Sequence, residues 1–317
     1  MSKSLDRLTL LETFVRISER GSISAAARDL GLSQASASRQ LKELEDRLGV
    51  QLVRRTTHSL AVTLAGQALL RDARGLLAEW SALEERHGAG DGVAKGPLKI
   101  VAPVALGQRH LLDIALDFQC LHPQVSLAWQ LQDEPVRFAE VGCDCWIKIG
   151  LVPDETLVVR HMGRVVRCLV ASPLLVGRDC LAGPADVEAL PFVALDPFEG
   201  GRIALAKGEG AVVEIRPQVR VATNNIFALY RAALKGVGAA ILPTWFIAED
   251  LAAGRLINLL PQWRAASHAV NAAYLPARHQ PRRLALFLDA LEKGMREIDG
   301  IEGAPAKLDK AGGAAKA

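Results

Sequence analysis

Three groups of residues in this 317-residue chain have types and spacings suited to chemistry. The first is a polar set, Ser33, Gln34, Ala35, Ser36, Ser38, Arg39 and Lys42, within the stretch Ser33–Gly49. Small hydroxyls, an amide and two cations, with no bulky apolar group among them, suit close approach to another surface. In the DNA major groove, side chains near the start of a helix read base edges. The second group lies at two turns that precede helices, Pro103-Val104-Ala105-Leu106 and Thr223-Asn224-Asn225. The free amides of a helix N-terminus favour a negative or hydrogen-bond-accepting group. Lys148 follows a buried strand, either as a positive charge for a ligand or as a surface lysine; Pro243, ending another short apolar strand, completes this set. The third group is Cys143 and Cys145, two apart and so on one side of a strand. They read as small core residues or as a redox or soft-metal pair, although a structural zinc wants four ligands. Catalytic signatures are missing: there is no Gly-x-Ser-x-Gly, no phosphate-binding glycine loop and no His-Glu metalloprotease pair.

The polar set needs a helix to present it. Ser33 is an N-cap residue and Gly49 a stop, and between them Ala37, Leu41, Leu44 and Leu48 repeat at helical period. Ala35, Ser36, Arg39, Lys42 and Glu43 fall opposite. An ordinary solvated amphipathic helix would show the same stripe, so the flanks decide. Upstream, Gly21–Leu32 contains an alanine-rich helix beginning near Ser22, with a short glycine-containing turn after it, as in helix-turn-helix units. Leu5–Glu19 is a first helix with Leu8, Leu11, Phe14 and Val15 inward. Downstream, Val50–Arg55 and Leu60–Val62 read as two short strands around a polar tip, Thr56-Thr57-His58-Ser59. That is a wing, and Arg54, Arg55, Thr56, Thr57 and His58 suit phosphate contact. Thr63 caps a long helix to about His87. Its Leu69, Ala73, Leu76, Trp80 and Leu83 alternate spacings of four and three, a seam for a second helix; the alternative is one helix packed on its own domain.

Gly88–Pro97 reads as a hinge, rich in glycine. After it, strands and helices alternate: Leu98–Ala102, a helix from about Gln108 to Cys120, Val125–Leu131, Cys145–Gly150, Arg167–Ser172, Pro191–Leu195, Val219–Ala222, a helix Ile226–Lys235, Ala239–Leu242, Val270–Tyr274 and a last helix Arg282–Arg296. This pattern predicts helices on mostly parallel sheets. From about Gly300 the chain is Gly, Ala, Lys and Pro, the composition of a disordered tail. Half the residues are apolar, 23% are charged and the net charge is +3, an ordinary balance for a globular protein and far too little charge for a general chromatin protein. No apolar run reaches membrane-spanning length, and Met1–Arg7 lacks the apolar core of a signal peptide. The five cysteines include no Cys-x-x-Cys, so reduced cytoplasmic thiols are expected.

The stretch from Ser22 through Ser33-Gln34, Ser38-Arg39-Gln40-Leu41, Leu48-Gly49-Val50, Arg54-Arg55-Thr56 and Thr63-Leu64-Ala65-Gly66 resembles the DNA-binding domain of LysR-type transcriptional regulators. Ala102-Pro103-Val104 with Gly107, Val141-Gly142-Cys143-Asp144, Ile147-Lys148-Ile149-Gly150, Val170-Ala171-Ser172-Pro173, Leu234–Pro243, and Gly254-Arg255-Leu256 with Leu259-Leu260-Pro261 resemble the family's effector-binding domain. The resemblance implies an α+β and α/β chain: a winged helix-turn-helix (1–66), a linker and dimerisation helix (63–87), a hinge (88–97), a two-subdomain α/β effector domain similar to type 2 periplasmic binding proteins (98–298) and a tail (299–317). Subdomain I is expected at about 98–163 and 268–298, and subdomain II at about 167–261, with crossings near Gly163–Arg167 and Pro261–His268. It further implies a cytoplasmic homodimer or homotetramer on an inverted-repeat site in double-stranded DNA, a small-molecule effector in the cleft, no cofactor, and RNA polymerase as a candidate partner. Two departures stand out. The family often has a Ser or Thr hydroxyl in the first turn of the cleft, where this chain has Pro103–Leu106, and Cys143 and Cys145 replace the more usual Phe and Leu. An alternative reading is a small-molecule sensor in which those cysteines give redox or metal sensing.

Overall fold

The computed structural model describes residues 6–55, 60–87, 93–136, 138, 142–177, 181–196, 201–208 and 210–303. The N-terminal unit is made of α1 (Arg7–Arg20), α2 (Ile23–Asp29) and α3 (Gln34–Leu48), followed by the strands β1 (Val53–Arg55) and β2 (Leu60–Val62). Each helix starts on a side chain that accepts an otherwise free amide: Asp6 from Leu8 N, Ser22 from Ala25 N and Ser33 from Ser36 N. Gly49 closes α3 in the left-handed conformation at φ 68°. Leu10, Phe14 and Ile17 of α1 pack on Ala26 and Ala27 of α2 and on Ala37, Leu41 and Leu44 of α3. Two sequence expectations shift here. The inward face of α1 is rotated to Leu10, Thr13, Phe14 and Ile17, with Leu11 and Val15 only partly buried. Leu48 is 47% exposed, because the last turn of α3 runs past the small core.

Thr13 is the polar member of that inward face, and it donates to Gln40 Oε1 from α3. Both side chains are buried. Gln40→Ala is expected to leave the Thr13 hydroxyl unsatisfied and to lower stability by about 1–3 kcal/mol, measured by urea unfolding. Gln40→Ala with Thr13→Val should recover part of that loss, because the second change removes the orphaned hydroxyl.

α4 (Leu64–His87) leads from this unit to the effector domain. There β3 (Gly96–Ala102) pairs in parallel with β4 (Val125–Leu131) and β5 (Cys145–Ile149). Between β3 and β4 the chain forms α5 (Val104–Leu106), a π-helical turn (Gly107–Leu111) and α6 (Leu112–Leu121), where the sequence predicts one regular helix. β6 (Val158–Ala171) and β13 (Arg264–Tyr274) are long antiparallel partners at the centre of the ten-stranded sheet. The expected crossing at Gly163–Arg167 falls inside β6, the one at Pro261–His268 runs into the start of β13, and the sequence-predicted strand from Arg167 is only the end of β6. The sheet is therefore mixed, not mostly parallel: the chain passes over on one strand and returns on its neighbour.

The chain continues through α7 (Pro173–Val176), α8 (Ala185–Glu188), β7 (Pro191–Leu195), the hairpin β8 (Ile203–Lys207) and β9 (Ala211–Ile215), β10 (Gln218–Thr223), α9 (Ile226–Leu234), β11 (Ala240–Pro243), α10 (Thr244–Ala252) and β12 (Ile257–Asn258). β10 pairs with β7 in parallel. α11 (Arg282–Met295) packs Leu284, Phe287, Leu288, Leu291 and Met295 into the same large core as β3 and β5. β14 (Ile301–Gly303) pairs with β6, so residues expected to begin the tail are strand; the rest of the tail lies outside the described residues.

Candidate nucleic-acid interface and effector cleft

The cap of α3 shapes its outward face. Ser33 Oγ accepts from Ser36 N at 3.1 Å and lies 2.9 Å from Ser36 Oγ, while Arg39 Nη2 donates to Ser36 Oγ at 3.4 Å. Gln34, Ala35, Arg39 and Lys42 are exposed, with Ser36 and Ser38 half-buried among them. Ser22 is a cap of α2, which leaves its hydroxyl committed to Ala25 N at 3.4 Å. Behind this face an open groove of about 610 Å³ runs between α3 and β1, lined by Arg39, Lys42, Glu45, Asp46, Gln51 and Val53 among others. Glu45, unnoticed in the sequence, ties the wing to the helix by accepting from Leu52 N at 2.7 Å and Val53 N at 3.2 Å. Arg54 is exposed on β1, opposite Ala61. Arg55 pairs with Leu60 through its backbone, and Thr56, Thr57 and His58 lie outside the described residues.

The seam expected along α4 divides. Leu69 packs against the small N-terminal core and Ala73 is buried, so both are used within the chain. Leu76, Trp80 and Leu83 are 49%, 42% and 40% exposed and form one row at i, i+4, i+7.

At the first cleft turn, Pro103 is buried and Ala105 and Leu106 point into the large core. Of this turn, which the sequence reading placed against a ligand, Val104 alone stays half-open. Its amide is already taken, by Asp133 Oδ1 at 2.9 Å. Lys148 Nζ lies 5.2 Å from the Trp146 ring; desolvation lowers its pKa and Asp133 opposes that. At the second turn, Thr223 Oγ1 accepts from Asn225 N at 3.2 Å, and Asn225 Oδ1 accepts from Phe227 N at 3.0 Å and Ala228 N at 3.2 Å. Their side chains are caps of α9, which leaves Asn224 exposed. Pro243 is buried at the start of α10.

The two turns are joined by residues the sequence reading passed over. Arg109, in the π-helical turn, donates to Phe246 O at 3.0 Å and lies 5.6 Å over the Phe246 ring. Phe246 in turn meets Phe227, in the first turn of α9, at 5.3 Å between ring centroids. His110 stands edge-on to Trp245 at 5.4 Å, and burial lowers its pKa. A π-helical turn inside a helix is frequent at functional sites. The signal in the sequence is the Arg109-His110 pair, one residue beyond Gly107, which a regular helical reading absorbs without comment.

Cys143 and Cys145 do not share a face. β5 begins at Cys145, so Cys143 precedes the strand and packs with Val101 and Trp146, whereas Cys145 points into the large core with Ile147. Burial pushes the Cys143 thiol up to about 12 and the Cys145 thiol well above its ordinary value. Neutral buried thiols make poor nucleophiles and poor metal ligands. Among the described residues, no group of three or more His, Cys, Asp or Glu could hold a metal ion.

Residues 91–296 match the LysR substrate binding domain, and residues 8–67 match the bacterial regulatory helix-turn-helix protein of the lysR family. The chain belongs to the LysR family. It is 30% identical over 300 residues to the uncharacterized HTH-type transcriptional regulator YhjC of Escherichia coli K12, covering 92% of this chain and 99% of that one. It is 29% identical over 299 residues to the HTH-type transcriptional regulator PtxR of Pseudomonas aeruginosa, covering 92% and 96%. Among solved structures, CrgA, a LysR-type transcriptional regulator from Neisseria meningitidis, is 26% identical with a TM-score of 0.55, over 92% of this chain and 99% of that one. This LysR-type transcriptional regulator thus carries a helix-turn-helix DNA-binding domain and an effector-binding domain. No described helix is long and apolar enough to cross a membrane.

Proposed function

We propose that this LysR-type regulator reads an inverted-repeat site in double-stranded DNA through the Ser33–Lys42 face of α3, with Arg54, Arg55 and the wing tip on phosphates. The capped, exposed face bearing Ser36, Arg39 and Lys42, opposite buried Ala37, Leu41 and Leu44, carries this reading. Two copies joined along Leu76, Trp80 and Leu83 place two such faces on the two half-sites. A small molecule binds near Val104, Lys148 and Asn224 and changes DNA contact by favouring one arrangement of the subdomains. The protein works in the cytoplasm, as a homodimer or homotetramer, without a cofactor and without catalysis of its own, and RNA polymerase is a partner at the promoter. The reading that Cys143 and Cys145 sense redox or metal loses ground to their burial on two sides of the sheet.

Arg39→Ala is expected to weaken binding to a duplex selected by the wild-type protein by about 1–3 kcal/mol, with the fold intact by circular dichroism. An unchanged gel-shift affinity at physiological salt removes α3 from the interface. Arg54→Gln is expected to weaken binding to all duplexes alike and to lower the slope of log affinity against log salt by about one. A fixed slope with altered base preference would give Arg54 a base-reading role instead.

A further inference from the structure

We propose that Arg74 couples the two domains within one chain, by holding Glu19 of the DNA-binding unit against the Gly142 turn that leads into β5 of the effector domain. The proposal rests on reading α3 as the DNA-reading helix. Arg74 lies on α4, and its side chain is only 10% exposed; Arg74 Nη2 meets Glu19 Oε1, on α1, at 3.3 Å. Both groups close over Gly142. That residue has φ 61°, and a Cβ there would stand 1.9 Å from Arg74 Nη2 and 2.9 Å from Glu19 Oε1. Glycine is therefore required twice, by its backbone conformation and by the ion pair above it.

The turn beneath is fixed to the sheet. Asp144 Oδ2 accepts from Lys99 N at 2.8 Å, and Asp144 N donates to Lys99 O at 2.8 Å. β5 begins at the next residue, carries Lys148, and lies between β3 and the long strand β13 that joins the subdomains. A shift of β5 thus moves Gly142 directly under Arg74. Among the described residues α4 also meets the effector domain where Glu79 Oε1 accepts from Arg278 N at 3.2 Å and where Ser81 Oγ accepts from Arg283 Nη1 at 3.2 Å. Those contacts end on α4. The Arg74 contact continues to α1, whose Phe14 and Ile17 pack in one core with Ala37 and Leu41 of the reading helix. An enclosed ion pair seated on backbone tolerates little sliding, which is what an element shared by two sites needs if both are to bias it.

The test is hydrogen exchange on the full chain, with and without a duplex selected by the wild-type protein from a random-sequence pool. Coupling is reciprocal, so bound DNA must change exchange in β5. In the wild type, the duplex should alter β5 exchange by about twofold or more, the range of coupling through such networks. In Arg74→Met, Glu19→Gln and Gly142→Ala that response should vanish, while the duplex still binds and β7 and β10 exchange as in the wild type. Glu19→Gln removes the charge of the ion pair from the DNA-binding side with no substitution in the effector domain, and so answers for any failure of Gly142→Ala to fold. If the wild type selects no duplex, the DNA-binding reading falls and this proposal with it. If the duplex binds but β5 does not respond, or responds equally in the variants, this proposal alone is overturned.

Discussion

Replacing Leu76 and Trp80 together by glutamate is expected to halve the assembly that we propose forms along α4. The reason lies in how α4 divides its apolar residues. Leu70, Ala73 and Ala82 are buried by the chain itself, and Leu69 packs on the N-terminal core. Leu76, Trp80 and Leu83 face away from all of these, each at least 40% exposed. A helix has no internal reason to place a tryptophan and two leucines in one outward row, and a second copy of the same row is the simplest cover for it. Twofold symmetry repeats each substitution across the interface, so the double change places four carboxylates in one apolar seam. Burying unpaired charge there costs several kcal/mol, and like charges face each other besides. Light scattering at micromolar concentration should show half the wild-type mass, while circular dichroism retains the helical signal because both positions are solvent-facing in the single chain. A variant that keeps the wild-type mass would move the interface to another face of the protein.

Much of the DNA-binding unit was legible because its signals are local. Ser22, Ser33 and Gly49 are cap residues by type and position, and each occupies its cap. The stripe Ala37, Leu41, Leu44 is legible from period alone, but its end is not: whether Leu48 is covered depends on neighbours that the period does not specify. The burial of Thr13 and Gln40 has no apolar signal in the sequence, because each is polar, and it makes sense only once α1 and α3 are side by side. In the effector domain the strands near Leu98, Val125 and Cys145 were readable as apolar runs. The length of β6 was not, since Arg160, Arg164 and Arg167 interrupt its hydrophobicity and find their partners on α11 and β13. The cleft was least legible. Asp133 caps Val104 from 29 residues away, and Arg109 reaches Phe246 from 137 residues away, contacts with no trace in local spacing.

Val104→Trp is expected to abolish the response to effector while leaving DNA binding intact. Of the first cleft turn only Val104 remains half-open, since Pro103, Ala105 and Leu106 are buried. An indole at this position cannot turn inward without overpacking the core around Ala105 and Leu106, at about 1–3 kcal/mol, so it is expected to extend outward, on the side where we propose the effector binds. The amide at Val104 is held by Asp133, and Lys148 already feels that carboxylate. An anionic effector group must therefore displace Asp133 or bind beside it, and most of its affinity should come from apolar burial, at about 25 cal/mol per Å². The expected ligand is therefore a small, largely apolar molecule with one or two polar groups. A thermal-shift screen of such metabolites on the wild type identifies the probe, because a ligand at 100 times its Kd stabilises the protein by about 2.7 kcal/mol. The same metabolite should leave Val104→Trp unshifted, and the variant should hold the selected duplex with wild-type affinity in a gel-shift assay. If the variant is stabilised to the same extent at the same midpoint concentration, the effector lies away from this turn, and the Arg109–Phe246–Phe227 bridge between the two cleft turns is then packing alone.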